Sequence, residues 1–144
     1  VSQVDPQLQG LIGTWIAAAR TRDPELLFQV VYPLTFSEDW IAANQETLDL
    51  ARERYESQDF DSYLELLLCL AKLNITADLH RIEAPTLVVA GELDLLKPRK
   101  YSEIIAREIP GAEFALIPQA GHAAMWEKAG VFNSLILGFL AKHG

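Results

Sequence analysis

The first half of the chain carries its apolar residues at helical spacing. Apolar side chains recur at intervals of three and four after each of several start signals, which is typical of helices with one buried face. An aspartate followed by proline supplies an N-cap and a favourable first helical position. The pattern predicts about four helices within residues 1–76, opening at Asp5-Pro6, at Asp23-Pro24, after the N-cap Ser37 with a run over residues 38–56, and at Asp59 or Asp61.

The period changes after Asn74. A continuous apolar run at residues 86–90 ends at Gly91, as expected of a parallel strand buried on both faces. A second strand-like run covers residues 113–117. Helical patterns at about residues 98–109 and 126–142 follow the two strands, and such alternation predicts parallel strands with crossover helices. We therefore predict an α/β fold with two regions, helical residues 1–76 and α/β residues 77–144.

Composition and charge indicate which kinds of binding partner the chain is unsuited to. The chain has 144 residues, which is long enough for one hydrophobic core. Its net charge is −8, and it has no cluster of basic residues. This balance argues against nucleic acid and anionic membranes as partners. No apolar run reaches the roughly 18 residues of a membrane span, and no secretory signal opens the chain. A soluble, cytoplasmic protein is the expectation.

Cysteine and histidine usage predicts neither a metal nor a cofactor. Cys69 is the single cysteine and lies within a leucine-rich run, where a small buried side chain is expected. The histidines lack the spacing of metal ligands. We expect His80 at the surface and His143 solvated at the chain terminus, which leaves His122 as the candidate for chemistry.

Two polar residues follow the two predicted strands. Asp94 lies just past the first strand and His122 just past the second. Parallel strands present their carboxyl ends at one edge of the sheet, where α/β proteins gather their chemistry. The sequence thus predicts that an acid and an imidazole meet there. The competing interpretation is structural: Asp94 caps a turn and His122 is a turn residue. Glu92 is a second carboxylate nearby, which we interpret as a non-catalytic loop residue.

These segments resemble a known superfamily. The segment 82–94 with Pro98, and Gly121-His122-Ala123 with the helix after it, are similar to the acid and histidine segments of the α/β-hydrolase superfamily. The helical half resembles the lid of its lactonase, esterase and haloperoxidase-like members. The features that carry this second likeness are Trp15, the Asp23-Pro24 turn and the segment from Pro33 to Ser37. The resemblance implies the C-terminal portion of an α/β-hydrolase fold, a lid at residues 1–76 and part of the core at residues 77–144.

The resemblance also implies roles. In that superfamily, the acid orients a histidine that activates a serine within a Gly-x-Ser-x-Gly turn. Carried over, Asp94 is the acid and His122 the general base of a serine hydrolase of the esterase or lactonase type, with no cofactor. The chain departs from the pattern because no serine lies in that context, the serines being Ser2, Ser37, Ser57, Ser62, Ser102 and Ser134. We therefore expect the chain alone to be inactive for lack of the nucleophile.

Substrate and partners follow as expectations of the same kind. Trp15, Phe36 and Trp40 are candidates to line a pocket for a small hydrophobic ester or lactone, although aromatic residues at helical spacing are more often core. A two-stranded sheet leaves open edges, so we expect a homo-oligomer or association with an N-terminal half. The alternative from another class is a non-catalytic module that binds a ligand or partner and keeps the Asp94–His122 pair unused.

Overall fold

The computed structural model describes all residues from 1 to 144. Helices fill the first half of the chain, and strands alternate with helices in the second. The helices of the first half are α1 (Pro6–Arg20), α2 (Pro24–Thr35), α3 (Glu38–Ala43), α4 (Gln45–Glu56) and α5 (Phe60–Leu70), followed by a 3-10 helix (Thr76–Arg81). The second half comprises β1 (Leu87–Gly91), α6 (Lys100–Glu108), β2 (Glu113–Ile117), α7 (Ala124–Glu127) and α8 (Ala129–His143).

The sheet consists of β1 and β2 in parallel. Leu87 lies opposite Glu113 at one end, and Gly91 lies opposite Ile117 at the other. The crossover helix α6 packs against β1, and α8 packs against β2. A small core forms beneath the carboxyl ends of the strands from Ile117, Ala120 and Ala124, with Val89, Phe132 and Leu135 packed against it. The predicted α/β class, with helices followed by a parallel β-α-β-α segment, is confirmed.

The chain divides into two compact units. One, which we call the site unit, comprises residues 1–2, 34–37 and 75–144. The other, the helical unit, comprises residues 3–33 and 38–74. No helix in residues 1–144 has both the length and the apolar character needed to cross a membrane.

The helical unit is organised by its buried apolar side chains and its helix caps. Leu8, Ile12 and Leu27 are fully buried, and α1 packs against α5. The Asp5 carboxylate accepts a hydrogen bond from the Leu8 backbone N–H at 2.8 Å, as an N-cap should. Asp59, rather than Asp61, caps α5. The predicted starts of α1 and α5 are therefore confirmed.

Two of the predicted helices are divided in the structure, and a third contains a proline. The helix predicted over residues 38–56 is divided at Asn44, whose side chain donates to the Trp40 carbonyl at 2.8 Å. Asparagine competes with the helix for backbone partners, which favours a break. The predicted C-terminal helix is divided in the same way at Lys128, whose backbone leaves the helical region. The helix α2 continues to Thr35 with Pro33 inside it.

The expectation that Cys69 is buried is wrong. Cys69 is exposed, and Leu66 in the same leucine-rich run is 68% exposed. The buried face of α5 contains Leu67, and a residue two positions further along a helix points away from that face. His143 is exposed, as expected at the chain terminus, and its Nε2 also lies 2.9 Å from a Glu113 carboxylate oxygen. Its ring also packs against Phe139, with ring centroids 4.6 Å apart.

Candidate active site

Asp94 lies in the turn that follows β1, where the chain leaves the sheet. The backbone of this turn is attached to the end of β2, since Glu92 N donates to the Ile117 carbonyl at 2.9 Å and Leu93 N donates to the Ala120 carbonyl at 2.8 Å. The side chain of Asp94 is only 7% exposed. A buried carboxylate needs hydrogen-bond donors to offset its lost hydration, so its partners define the site.

Two donors serve that carboxylate. One oxygen, Oδ1, accepts from the Lys97 backbone N–H at 2.7 Å. The other, Oδ2, lies 2.8 Å from His122 Nδ1. An ionised carboxylate only accepts hydrogen bonds, so Nδ1 carries the proton and Nε2 is left as the basic nitrogen. The predicted meeting of Asp94 and His122 at one edge of the sheet is present in the structure.

The imidazole of His122 is accessible on its other side. Its side chain is 41% exposed, and Nε2 forms no hydrogen bond within residues 1–144. None of the serine hydroxyls hydrogen-bonds this nitrogen, and the hydroxyl of Ser37 instead donates to Glu127. A histidine can act as a general base when an aspartate accepts a hydrogen bond from Nδ1 and Nε2 is available to take a proton from the reacting group.

Two glycines allow close backbone approaches around the loop that carries His122, Gly91 from β1 and Gly121 towards residues 36–37. A Cβ on Gly91 would lie 2.1 Å from the Gly121 carbonyl oxygen and 2.5 Å from that of Ala120. A Cβ on Gly121 would lie 2.8 Å from Ser37 N and 2.9 Å from the carbonyl carbon of Phe36. No side chain fits at either position without moving backbone atoms. The short distance between Asp94 and His122 therefore depends on glycine at both.

Lys97 adds a positive charge near the pair. Burial lowers the pKa of the Lys97 ammonium, and the negative charge of Asp94 opposes that shift. The lysine thus loses hydration but gains attraction to the carboxylate.

Glu127 supports the loop that carries His122 and was not found from the sequence. Its Oε1 accepts from the backbone N–H of Ser37 at 3.1 Å and of Gly121 at 3.0 Å. Ser37 precedes Glu127 by 90 residues, so no local pattern links the two. The hydroxyl of Ser37, the predicted N-cap of the following helix, donates to this carboxylate as well.

Glu92 has a structural contact in the same region. One of its carboxylate oxygens accepts from the Gln119 backbone N–H at 3.0 Å. Gln119 has a positive φ of 53°, so this bond holds a strained turn at the end of β2. Through this contact Glu92 supports the loop at the end of β2.

The aromatic candidates lie in both units. Phe36 belongs to the site unit, is buried, and stacks on Trp126 with ring centroids 6.1 Å apart. Trp126 is 57% exposed, so it presents the open aromatic surface of that stack. Trp15 is buried in α1, whereas Trp40 is half-buried in α3, and both belong to the helical unit. A role for these residues in substrate binding remains a prediction.

No group of three or more His, Cys, Asp or Glu side chains in residues 1–144 could hold a metal ion. The polar groups of the site are therefore a hydrogen-bonded carboxylate and imidazole, a nearby ammonium and the backbone amides that support them. Chemically, the pair is suited to accept a proton from a hydroxyl placed at Nε2.

Comparison with known proteins places this geometry in context. No protein-family model matches the sequence. A protein of Stutzerimonas stutzeri named "Putative carbamate hydrolase RutD" is 35% identical over 107 residues, which are 73% of this chain and 40% of that protein. MGS-M2, an α/β hydrolase from a Medee basin deep-sea metagenome library, superposes with a TM-score of 0.89 and 25% identity, covering 98% of this chain and 53% of MGS-M2.

A further solved structure extends the range of reactions among similar proteins. Est816, described as degrading N-acyl homoserine lactones, superposes with a TM-score of 0.70 and 28% identity over 90% of this chain. The match covers 54% of Est816. The chain thus spans about half the length of the relatives that it matches.

Proposed function

Because the chain belongs to the α/β-hydrolase superfamily, as the C-terminal portion of that fold, we propose that Asp94 and His122 are the acid and the base of a serine hydrolase. The reaction is acyl transfer to water from a small ester, lactone or carbamate. The observation that carries the proposal is the 2.8 Å contact between Asp94 Oδ2 and His122 Nδ1 at the carboxyl edge of the sheet. The likeness to a carbamate hydrolase and to a lactone-degrading enzyme supports these substrate classes.

In the proposed mechanism, His122 Nε2 accepts the proton of a serine hydroxyl as that oxygen attacks the acyl carbon. Asp94 stabilises the imidazolium that forms and fixes its orientation. The same histidine then returns the proton to the leaving oxygen or nitrogen, and the cycle repeats with water as the attacking group. Because no hydroxyl contacts Nε2 within this chain, the serine comes from a segment equivalent to the N-terminal half of the relatives.

The helical residues 1–76 serve as a lid in this proposal, and residues 77–144 as the core that carries the pair. Trp15, Phe36 and Trp40 are the proposed substrate-binding residues. The stack of Phe36 on the exposed Trp126 supports an apolar substrate surface close to the base, since Trp126 follows soon after His122 in the sequence. Aromatic faces of this kind bind acyl chains and rings.

The open edge of the two-stranded sheet is the proposed site of association with another segment or chain. The strand β1 pairs only with β2 in a two-stranded sheet, so its other edge has unpaired backbone groups. A further strand at that edge, from an N-terminal half or a second copy of the chain, would satisfy them. Size-exclusion chromatography with light scattering tests the second-copy case. A clean monomer at high concentration excludes it.

A fusion protein tests the function directly. The N-terminal portion of MGS-M2, up to the point where the superposition with this chain begins, is joined to residues 1–144. Hydrolysis is measured with p-nitrophenyl acetate and butyrate, and the isolated chain and a His122→Ala fusion are assayed beside it. We expect turnover by the fusion alone, with a loss of at least about 10⁴-fold in the His122→Ala variant. A folded fusion that binds ligand without turnover would favour the non-catalytic module.

A further inference from the structure

Glu127 connects the histidine loop to a segment from the other end of the sequence. Its carboxylate accepts three hydrogen bonds, from Ser37 N at 3.1 Å, from Ser37 Oγ at 2.5 Å and from Gly121 N at 3.0 Å. Gly121 immediately precedes His122. A second bond attaches the other side of the histidine, since Ala123 N donates to the Thr35 carbonyl at 3.1 Å. The residues before and after His122 are thus both attached to residues 35–37, Gly121 through Glu127 and Ala123 directly.

The contact of Glu127 with Gly121 and Ser37 is closely packed as well as hydrogen-bonded. Ser37 is 4% exposed and Gly121 is buried, so the three donors would be costly to leave without an acceptor. A Cβ on Gly121 would lie 2.8 Å from Glu127 Oε1, so the carboxylate lies against the loop backbone. Movement of that backbone would carry the His122 ring away from Asp94.

We propose that Glu127 is a positioning residue for His122. It fixes the backbone of the histidine loop through Gly121, so that Nδ1 faces Asp94 and Nε2 faces the reacting hydroxyl. The proposal rests on the proposed role of His122 as the base. Glu127 itself touches neither the imidazole nor the Asp94 carboxylate, so its effect passes through the loop.

The test reads the imidazole of His122 rather than hydrolysis. The full chain is labelled with ¹⁵N-histidine, and the ring nitrogen shifts report which nitrogen holds the proton in the neutral form. Variants that replace His80 and His143 assign the other two signals. A role of Glu127 in folding alone would change the thermal midpoint while leaving this tautomer signal as it is.

The variants form a graded series. E127A removes both acceptor oxygens and so all three hydrogen bonds, and E127D withdraws the carboxylate by one methylene so that it cannot reach both Ser37 and Gly121. E127Q keeps an oxygen for the two backbone donors, and S37A removes only the hydroxyl bond. E113A is the matched control, because that glutamate pairs with Lys142 and His143 at the opposite end of β2.

We expect the Nδ1-protonated form to be the major tautomer in the wild type, E127Q and E113A. In E127A and E127D we expect the Nδ1-protonated tautomer of His122 to be a minor form. In S37A its fraction should be intermediate between the wild-type and E127A fractions. If E127A does not fold, E127D decides the outcome. Wild-type His122 signals in folded E127A or E127D would overturn the role of Glu127 and leave the proposed function standing. A wild-type protein with its proton on Nε2 would instead overturn the proposed function.

Discussion

In the helical unit, order comes from apolar side chains that pack between helices, whereas the candidate active site of the site unit also depends on loops held together by hydrogen bonds. Leu8, Ile12 and Leu27 are fully buried in the first. In the second, the Asp94–His122 contact depends on two glycines and on the Glu127 carboxylate. In the helical unit an open position on a helix surface accepts a small added group, since a Cβ at Gly10 meets no atom within 4 Å. A loop contact at a fixed distance does not tolerate an added atom.

The same substitution should therefore have opposite effects in the two units. In the site unit, Gly91→Ala places a methyl group 2.1 Å from the Gly121 carbonyl oxygen. The backbone must move to admit it, and we expect a loss of about 3 kcal/mol in the free energy of unfolding, at the upper end of overpacking costs. Urea denaturation measures it. A change within the experimental error would show that the two loops are not in tight contact.

Gly10→Ala is the matched change in the helical unit. Gly10 lies within α1, and a Cβ there meets no atom within 4 Å. Alanine is the better helix former by about 0.8–1 kcal/mol, so the variant should be more stable than the wild type by roughly that amount. The same urea titration checks it, and a destabilised Gly10→Ala would contradict the open helix surface described for α1.

Titration of the half-buried Tyr55 hydroxyl gives a smaller, pH-dependent difference between the two units. Burial, with a lesser contribution from the neighbouring Tyr63, raises the pKa of Tyr55 in the helical unit to about 12 from its ordinary value of 10.0. Between pH 10 and 12 the unfolded chain therefore loses a proton that the folded chain keeps, so the free energy of unfolding falls as the pH rises. Tyr55→Phe removes this contribution. The wild-type curve should fall more steeply than that of Tyr55→Phe over this range, and parallel curves would exclude a buried Tyr55 hydroxyl.

The two units also differ in how far the sequence predicts them. Helical periodicity and the Asp5 and Asp59 caps were sufficient to place α1 and α5, because such signals lie within a few residues of one another. The break at Asn44 was missed because a single side-chain bond to Trp40 decides it. The exposure of Cys69 was missed because a leucine-rich run does not reveal which face of a helix is covered.

In the site unit, strand ends predicted the Asp94–His122 pair because parallel strands bring their carboxyl ends to one edge. The support from Glu127 could not be found in this way. Its partner Ser37 lies 90 residues away, and only the folded chain brings them together. The contact between His143 and Glu113 was missed for the same reason, since it joins residues 30 positions apart. Sequence patterns thus predicted the pair but not what holds it.

The central claim is that Asp94 and His122 act together as one catalytic unit, and a double-mutant cycle tests it most directly. The value of kcat/KM is measured for the MGS-M2 fusion and for its Asp94→Asn, His122→Ala and doubly substituted forms. Groups that act as a unit are strongly non-additive, so each single change should cost about 10⁴-fold or more and the double change little beyond the larger single loss. Single losses that multiply in the double variant, or an Asp94→Asn fusion with wild-type activity, would contradict the account.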